Sequence, residues 1–293
     1  MSTHAREGWI ESDGLKLRFV EWGKLSSPPI VALHGLRSFA YTWEPVALPL
    51  ADRFRIIALD QRGRGMSDWD PARHYNAEAY VRDLEALVDR LALERFVLVG
   101  HSMGGANAFV YSTRHPDRLA GMVIEDMGPG ASNSSGGAER IRRELLATPD
   151  RFDSWAAAAA FWRGQRPNIP DAAIHARVLH SMKEAEGGEI IWRHDAQGIA
   201  HARLNATPQQ LVELWPHVEA VAVPTLLLRG AQSDFLSAGT AEDMQRRNPR
   251  IQLVEIPSAT HYVHDDNLSG FDSAFHTFLD SPPLSSWAKG SAR

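Results

Sequence analysis

Ser102, Asp234 and His261 carry the side chains needed to open an acyl bond through a covalent intermediate. Ser102 lies in Gly100-His101-Ser102-Met103-Gly104, directly after the apolar run Phe96-Val97-Leu98-Val99 and before a helix-forming segment, Ala106 to Thr113. A serine on so tight a strand-to-helix turn has strained backbone angles. Any side chain two residues to either side collides with a neighbouring strand or helix, which accounts for Gly100 and Gly104. The turn also presents the Met103 N–H at a helix start, where the dipole favours a developing oxyanion.

A serine hydroxyl is a poor nucleophile near neutral pH and needs a base within hydrogen-bond reach. Histidine suits that task because its ordinary pKa lies near the working pH, and a carboxylate must then hold its tautomer. Ser102, Asp234 and His261 each follow an apolar strand, so in a parallel sheet their loops emerge at one edge. Asp234 is the expected carboxylate. Asp126, at the end of the strand after the serine's helix, is the alternative. Asp265 and Asp266, beside His264, read as a solvated charge run rather than a metal cluster, because adjacent residues project in different directions.

The strand-elbow-helix context of Gly100–Gly105 resembles the nucleophile elbow of the α/β-hydrolase family, and the order Ser102, Asp234, His261 is the family's order. His34-Gly35 after the first buried strand resembles the family's oxyanion loop, which implies that Leu36 lends a second backbone N–H beside Met103. The resemblance makes His34 structural. It also implies that Asp60-Gln61-Arg62-Gly63-Arg64-Gly65-Met66-Ser67 is a bracing loop, and it favours His261 over His264 as base. His264 reads as a surface or supporting neighbour. Thr260 departs from the glycine the family usually has before its base. A phosphate loop is excluded because no Gly-Lys-Ser/Thr follows, and a dinucleotide fingerprint because the third glycine is missing.

The elements that must position these residues alternate between strand and helix patterns, which calls for an α/β fold: a mostly parallel central sheet with helices on both faces. Leu15 to Trp22 reads as an antiparallel edge strand. Ile30–Leu33, Arg55–Leu59, Leu119–Ile124, Pro224–Gly230 and Ile251–Ile256 read as further strands, and Asn76 caps a helix running through Leu93. Gly130 to Gly137 is polar and reads as flexible. From there to about Val218 the chain shows helical patches broken by Pro149, Pro167, Pro170, Pro208 and Pro216, with no clear strand. The expected organisation is a hydrolase core over 1–130 and 218–281, an inserted helical cap over 131–217 and a loose tail over 282–293. Arg37, near the oxyanion loop, is placed either to grip a substrate carboxylate or to be solvated. Trp162 and the other cap aromatics either line a pocket or form the cap's own core.

The 293 residues suffice to bury a large core, and the absence of cysteine excludes disulfides and thiolate metal sites. A net charge of −5 gives no electrostatic case for nucleic acid. Met1 to Glu7 lacks the apolar core of a secretory signal, and the most apolar run, Trp155 to Trp162, is too short to span a bilayer. A soluble, cytoplasmic protein acting on a small molecule is expected, with no metal or organic cofactor; the sequence leaves a homo-oligomer open. The resemblance implies a serine hydrolase that cleaves a carboxylic ester of small or medium size, a lactone included, through an acyl-serine. The alternatives are an amide or a carbon–carbon bond of the β-diketone type on the same residues, or a non-catalytic ligand receptor on the same fold. Epoxide hydrolase and haloalkane dehalogenase chemistry needs a carboxylate nucleophile and does not fit Ser102.

Overall fold

The computed structural model describes residues 5–167, 169–206 and 211–291, with the backbone alone at 133 and 134. The first six strands are β1 (Arg6–Ser12), β2 (Leu15–Trp22), β3 (Pro29–Leu33), β4 (Arg55–Leu59), β5 (Phe96–His101) and β6 (Leu119–Glu125). An insertion carries β7 (Arg151–Phe152), β8 (Met182–Glu184) and β9 (Ile190–Trp192), and the chain then returns through β10 (Thr225–Gly230) and β11 (Ile251–Ile256). The main sheet has the order β1-β2-β4-β3-β5-β6-β10-β11. From β4 to β11 all pairings are parallel, while β2 runs antiparallel to both β1 and β4.

Burial on both faces explains the unbroken apolar runs of the central strands, since helices cover a parallel sheet above and below. Every residue of β5 and β6 is buried. Successive side chains feed opposite cores: Leu98, Ile124 and Leu227 join one cluster, and Val97, Val99, Val123 and Leu228 join the other. The helix Ala77–Arg90 starts at Asn76, whose side chain accepts the Ala79 N–H at 3.1 Å. The bracing loop is tied by charge: Asp60 accepts from Arg18 Nε at 2.7 Å and Ala40 N at 2.6 Å, and Arg62 pairs with Asp83 and Asp70.

Four sequence expectations need correction. β2 is not an edge strand, because β1 pairs outside it with Trp9 opposite Arg18. Only Trp9 and Ile10 are large apolar residues in β1, so its alternation is too faint to read. The expected helical cap contains a small antiparallel sheet, β7-β9-β8, whose strands of two or three residues are too short to show a period. The segment expected to be flexible forms helices Ala131–Ser134 and Gly136–Ala147, the second capped by Ser135 Oγ accepting Ala138 N at 2.9 Å. The expected loose tail is the helix Pro282–Ser291, with Leu284 fully buried against the sheet and Trp287 stacked on Phe54. Pro208, one of the expected helix breaks, lies outside the described residues.

A buried ion pair sets the loop after β11. The Glu125 side chain, at the end of β6, accepts the His264 backbone N–H at 3.0 Å and its Nδ1–H at 2.8 Å. Thr42 Oγ1 sits 3.1 Å from the other ring nitrogen, and Trp43 stacks on the ring at 4.8 Å between centroids. His264 is therefore an interior clamp and not a surface residue. Burial works against its charge, but the Glu125 carboxylate overcomes this and holds it up at about 8. Burial likewise raises Glu125, and the facing imidazolium more than reverses the effect, leaving the carboxyl below its ordinary range.

Two measurements test this frame. Leu284→Ala leaves a void between the last helix and β6, and is expected to cost about 2–4 kcal/mol in urea unfolding. The His264 contribution is complete below about 6.5, its unfolded value, and is lost as pH rises through about 8. The loss amounts to about 2 kcal/mol. The Glu125 contribution is present above about 4.5 and is lost on acidification through its lower folded value. Unfolding free energies measured from pH 6 to 9 are expected to show the alkaline loss in the native protein and its absence in His264→Gln.

Candidate active site

Three loops at the carboxyl edge of the sheet bring Ser102, His261 and Asp126 together. Ser102 follows β5 with φ 52° and ψ −117°, a conformation that costs an ordinary residue about 1–3 kcal/mol. The turn is so tight that a Cβ on Gly100 would meet Gly104 O at 2.4 Å, and one on Gly104 would meet Leu33 O at 2.3 Å. Glu125 O accepts the Ser102 N–H at 3.0 Å and fixes the serine against β6.

Ser102 Oγ lies 2.9 Å from His261 Nε2, and His261 Nδ1 lies 2.8 Å from Asp126 Oδ2. All three side chains are at least nine-tenths buried. Asp126 is itself held from several sides. Its backbone N–H donates to Leu228 O at 2.8 Å, Oδ1 accepts from Gly230 N at 3.2 Å, and Oδ2 accepts from Ser233 Oγ at 2.5 Å. His101 donates from Nε2 to His261 O at 2.9 Å, and burial pushes its pKa down to about 4, so the ring is neutral. Phe235 packs on the His261 ring at 4.1 Å between centroids.

Asp234 does not occupy the place expected of it. Its side chain is 41% exposed and turns away to a two-point pair with Arg140, Nε to Oδ2 at 2.8 Å and Nη2 to Oδ1 at 2.9 Å. That guanidinium holds the Asp234 carboxyl below its ordinary range. The β10 loop still takes part, through Ser233: one residue short of Asp234, its hydroxyl reaches Asp126. Nothing in the one-dimensional pattern separates these two loops, because both begin where an apolar strand ends.

Leu36 and Met103 both flank Ser102. Met103 is the first residue of the helix Met103–Arg114, so its N–H has no acceptor within that helix. His34 is fully buried. Its Nδ1–H donates to Gly35 O at 2.8 Å while Nε2 accepts from Gln61 N at 3.2 Å, and burial drives its pKa down to about 3, which leaves it a neutral brace.

Two cavities meet at Ser102. The larger, about 440 Å³, is walled by apolar residues such as Met127, Ile199, Leu214 and Phe235, with Arg64 and Asn107 among its polar groups. The smaller, about 40 Å³, is lined by His261, Tyr262, Arg37, Arg166, Arg177 and Asp265 among others. Arg37 thus lies near the serine, but it is not solvated: it pairs with Glu144 and donates to Thr148 Oγ1 at 3.1 Å. Trp162 lines neither cavity and belongs to the insertion's own core with Phe152 and Trp192, its Nε1–H donating to Ser181 Oγ at 3.2 Å. Asp265 is no solvated charge either, since it pairs with buried Arg177, and Asp266 accepts Thr260 N at 2.8 Å. The described residues contain no group of three side chains able to hold a metal ion, and no helix among them is long and apolar enough to cross a membrane.

Comparison with known proteins agrees with this fold. Residues 28–268 match the model of the alpha/beta hydrolase fold family. The chain is 30% identical over 280 residues to a 2-(acetamidomethylene)succinate hydrolase of Mesorhizobium japonicum, covering 93% of this chain and 98% of that one. It is 29% identical to a 3-hydroxybutyrate-oligomer hydrolase of Cupriavidus necator, over 89% of this chain and 93% of that one. A crystal structure of an alpha/beta hydrolase from Novosphingobium aromaticivorans superposes with a TM-score of 0.80 at 33% identity, covering 96% of this chain and 99% of that chain. The chain belongs to the alpha/beta hydrolase fold family.

Proposed function

We propose that this hydrolase cleaves a carboxylic ester of a small molecule through an acyl-enzyme on Ser102, with His261 as base and Asp126 as its carboxylate. The observation that carries the reading is the continuous chain from Ser102 Oγ to His261 Nε2 and from His261 Nδ1 to Asp126, at 2.9 and 2.8 Å. With Asp126 accepting from Nδ1, the imidazole presents its free nitrogen to the serine.

Ser102 Oγ attacks the acyl carbon as its proton passes to His261 Nε2. The carbonyl oxygen becomes an oxyanion, and the backbone N–H groups of Leu36 and Met103 stabilise it. Loss of one such donor typically raises the barrier by about 3 kcal/mol. As the tetrahedral species collapses, the proton on Nε2 moves to the departing alcohol. Water, deprotonated by the same nitrogen, then attacks the acyl-serine, and the proton returns to Ser102 when the acid leaves. Asp126 stays ionised throughout and stabilises the transient imidazolium. The larger cavity, within the usual size of small-molecule pockets, offers the apolar walls for the bulk of the substrate.

A second reading keeps these residues and changes the bond to an amide or a carbon–carbon bond. It is favoured by the likeness to a hydrolase named for 2-(acetamidomethylene)succinate. Parallel assays with 4-nitrophenyl acetate and butyrate, a simple N-acyl amide and a β-diketone ring-cleavage dienoate separate the two. Ester turnover is expected to dominate; turnover of the amide or dienoate alone transfers the reading to the second bond class.

A fluorophosphonate probe is expected to label the native protein and to leave Ser102→Ala unlabelled. Absence of labelling in the native protein supports a ligand receptor instead. Asp126→Asn is expected to lower kcat by about 10³- to 10⁴-fold, because the amide no longer holds the tautomer that accepts the serine proton. Asp234→Asn, which loses only a partly exposed ion pair, is expected to stay within about tenfold of the native rate. The reverse ranking assigns the acid to Asp234.

A further inference from the structure

The small cavity beside Ser102 has an unusual charge. Three arginines border it from three parts of the chain: Arg37 from the loop after β3, Arg166 from the end of the helix Trp155–Gln165, and Arg177 from the helix Asp171–Ser181. Arg166 and Arg177 are only 8% and 6% exposed. Arg37 is neutralised by Glu144 and Arg177 by Asp265. Arg166 makes no ion pair among the described residues, and only Asp265, already paired with Arg177, acts on its charge from longer range. Its Nη1 donates to Gln165 O at 2.8 Å, and the guanidinium stacks at 3.4 Å over the ring of Tyr262, which lines the same cavity. The Nε atoms of both Arg166 and Arg177 are buried without a hydrogen-bond acceptor among the described residues.

A buried guanidinium with an unused donor and no carboxylate paired to it is costly, and a bound anion relieves both deficits at once. Burial, with the Arg166 charge adding to it, holds the Arg37 and Arg177 guanidinium groups below their ordinary range. The cluster therefore carries more positive charge than its own carboxylates balance. The cavity, about 40 Å³, exceeds the roughly 10–15 Å³ that admits one water, which suits a carboxylate better than a ring. It also opens directly onto Ser102 and His261, so its occupant lies within a few bonds of the reacting carbon.

We propose that this cavity is an anion subsite in which Arg166, flanked by Arg177 and Arg37, takes a free carboxylate of the substrate. The substrate class is then a half-ester of a short dicarboxylic acid, or a similar acyl compound with a carboxylate two or three bonds from the scissile carbonyl. The subsite is completed only when the insertion packs on the core, since Arg166 and Arg177 come from one and Ser102 from the other. This inference rests on the reading of Ser102 as nucleophile.

The test compares mono-4-nitrophenyl succinate with 4-nitrophenyl butyrate, which have similar length and the same leaving group. In the native protein kcat/KM is expected to favour the charged ester by about thirtyfold or more. Arg166→Gln is expected to collapse that ratio toward one, and Arg166→Lys to restore part of it, since a point charge replaces the planar fork. A ratio near one in the native protein, or a ratio unchanged by Arg166→Gln, overturns the proposal. Calorimetric titration of Ser102→Ala with ethyl hydrogen succinate and with diethyl succinate reads the subsite without turnover. Preference for the monoanion that is lost in the Arg166→Gln double variant supports it; equal binding overturns it. Inorganic phosphate displacing the monoester at equal concentration also overturns it, by showing a general anion site. If no ester turns over but the binding preference stands, the reaction assigned above fails and the subsite survives.

Discussion

The backbone of Ser102 is the constraint from which the rest of the site follows. A non-glycine residue at φ 52° persists only where its surroundings leave no alternative. Here those surroundings are two fully buried strands and a helix packed so closely that neither Gly100 nor Gly104 has room for a Cβ. The same tightness lifts the hydroxyl above the sheet edge and starts a helix one residue later. The placing of the Ser102 hydroxyl, the first free N–H of the helix and the helix orientation are thus one geometric decision, made where β5 ends.

Two adjacent carboxylates then divide the work of placing histidines. Glu125 ends β6 and faces His264, whereas Asp126, one residue on and with φ 48°, faces His261. The first pair ties the loop after β11 to the sheet through a charged, buried contact. The second orients the imidazole that meets Ser102. Neither histidine could be set so firmly alone, because a loop of several residues beyond a strand end has freedom that only cross-loop bonds remove. Ser233 and the carbonyl of His261, the latter held by His101, close the remaining directions.

The insertion between β6 and β10 serves two ends with separate residues. Phe152, Phe161 and Trp162 each meet Trp192 edge to face and hold the insertion together, so these aromatic side chains are spent on its own core. Its charged residues make the contacts with the sheet's loops: Glu144 with Arg37, Arg140 with Asp234, Arg177 with Asp265. These contacts shape the small cavity, and they explain why Asp234 is occupied elsewhere.

The sequence by itself determined the α/β architecture, the elbow around Ser102 and the loop that carries His261. These are legible because their causes are local: unbroken apolar runs for doubly covered strands, and glycines wherever a tight turn excludes a Cβ. The last strand, Ile251–Ile256, is legible for a similar reason, since Asn248-Pro249 and Pro257-Ser258 bound it on either side. What the chain order could not determine was which of two aspartates reaches the imidazole, because Asp126 and Asp234 both lie in loops that follow an apolar strand. Tertiary structure decided it, through a backbone turn at Asp126 and a competing arginine 94 residues from Asp234 in sequence. It likewise decided that the polar tail would bury Leu284, that Trp162 would pack inward, and that Arg37 would meet the distant Arg166 and Arg177 beside one serine. Contacts between distant segments leave no period and no spacing to read.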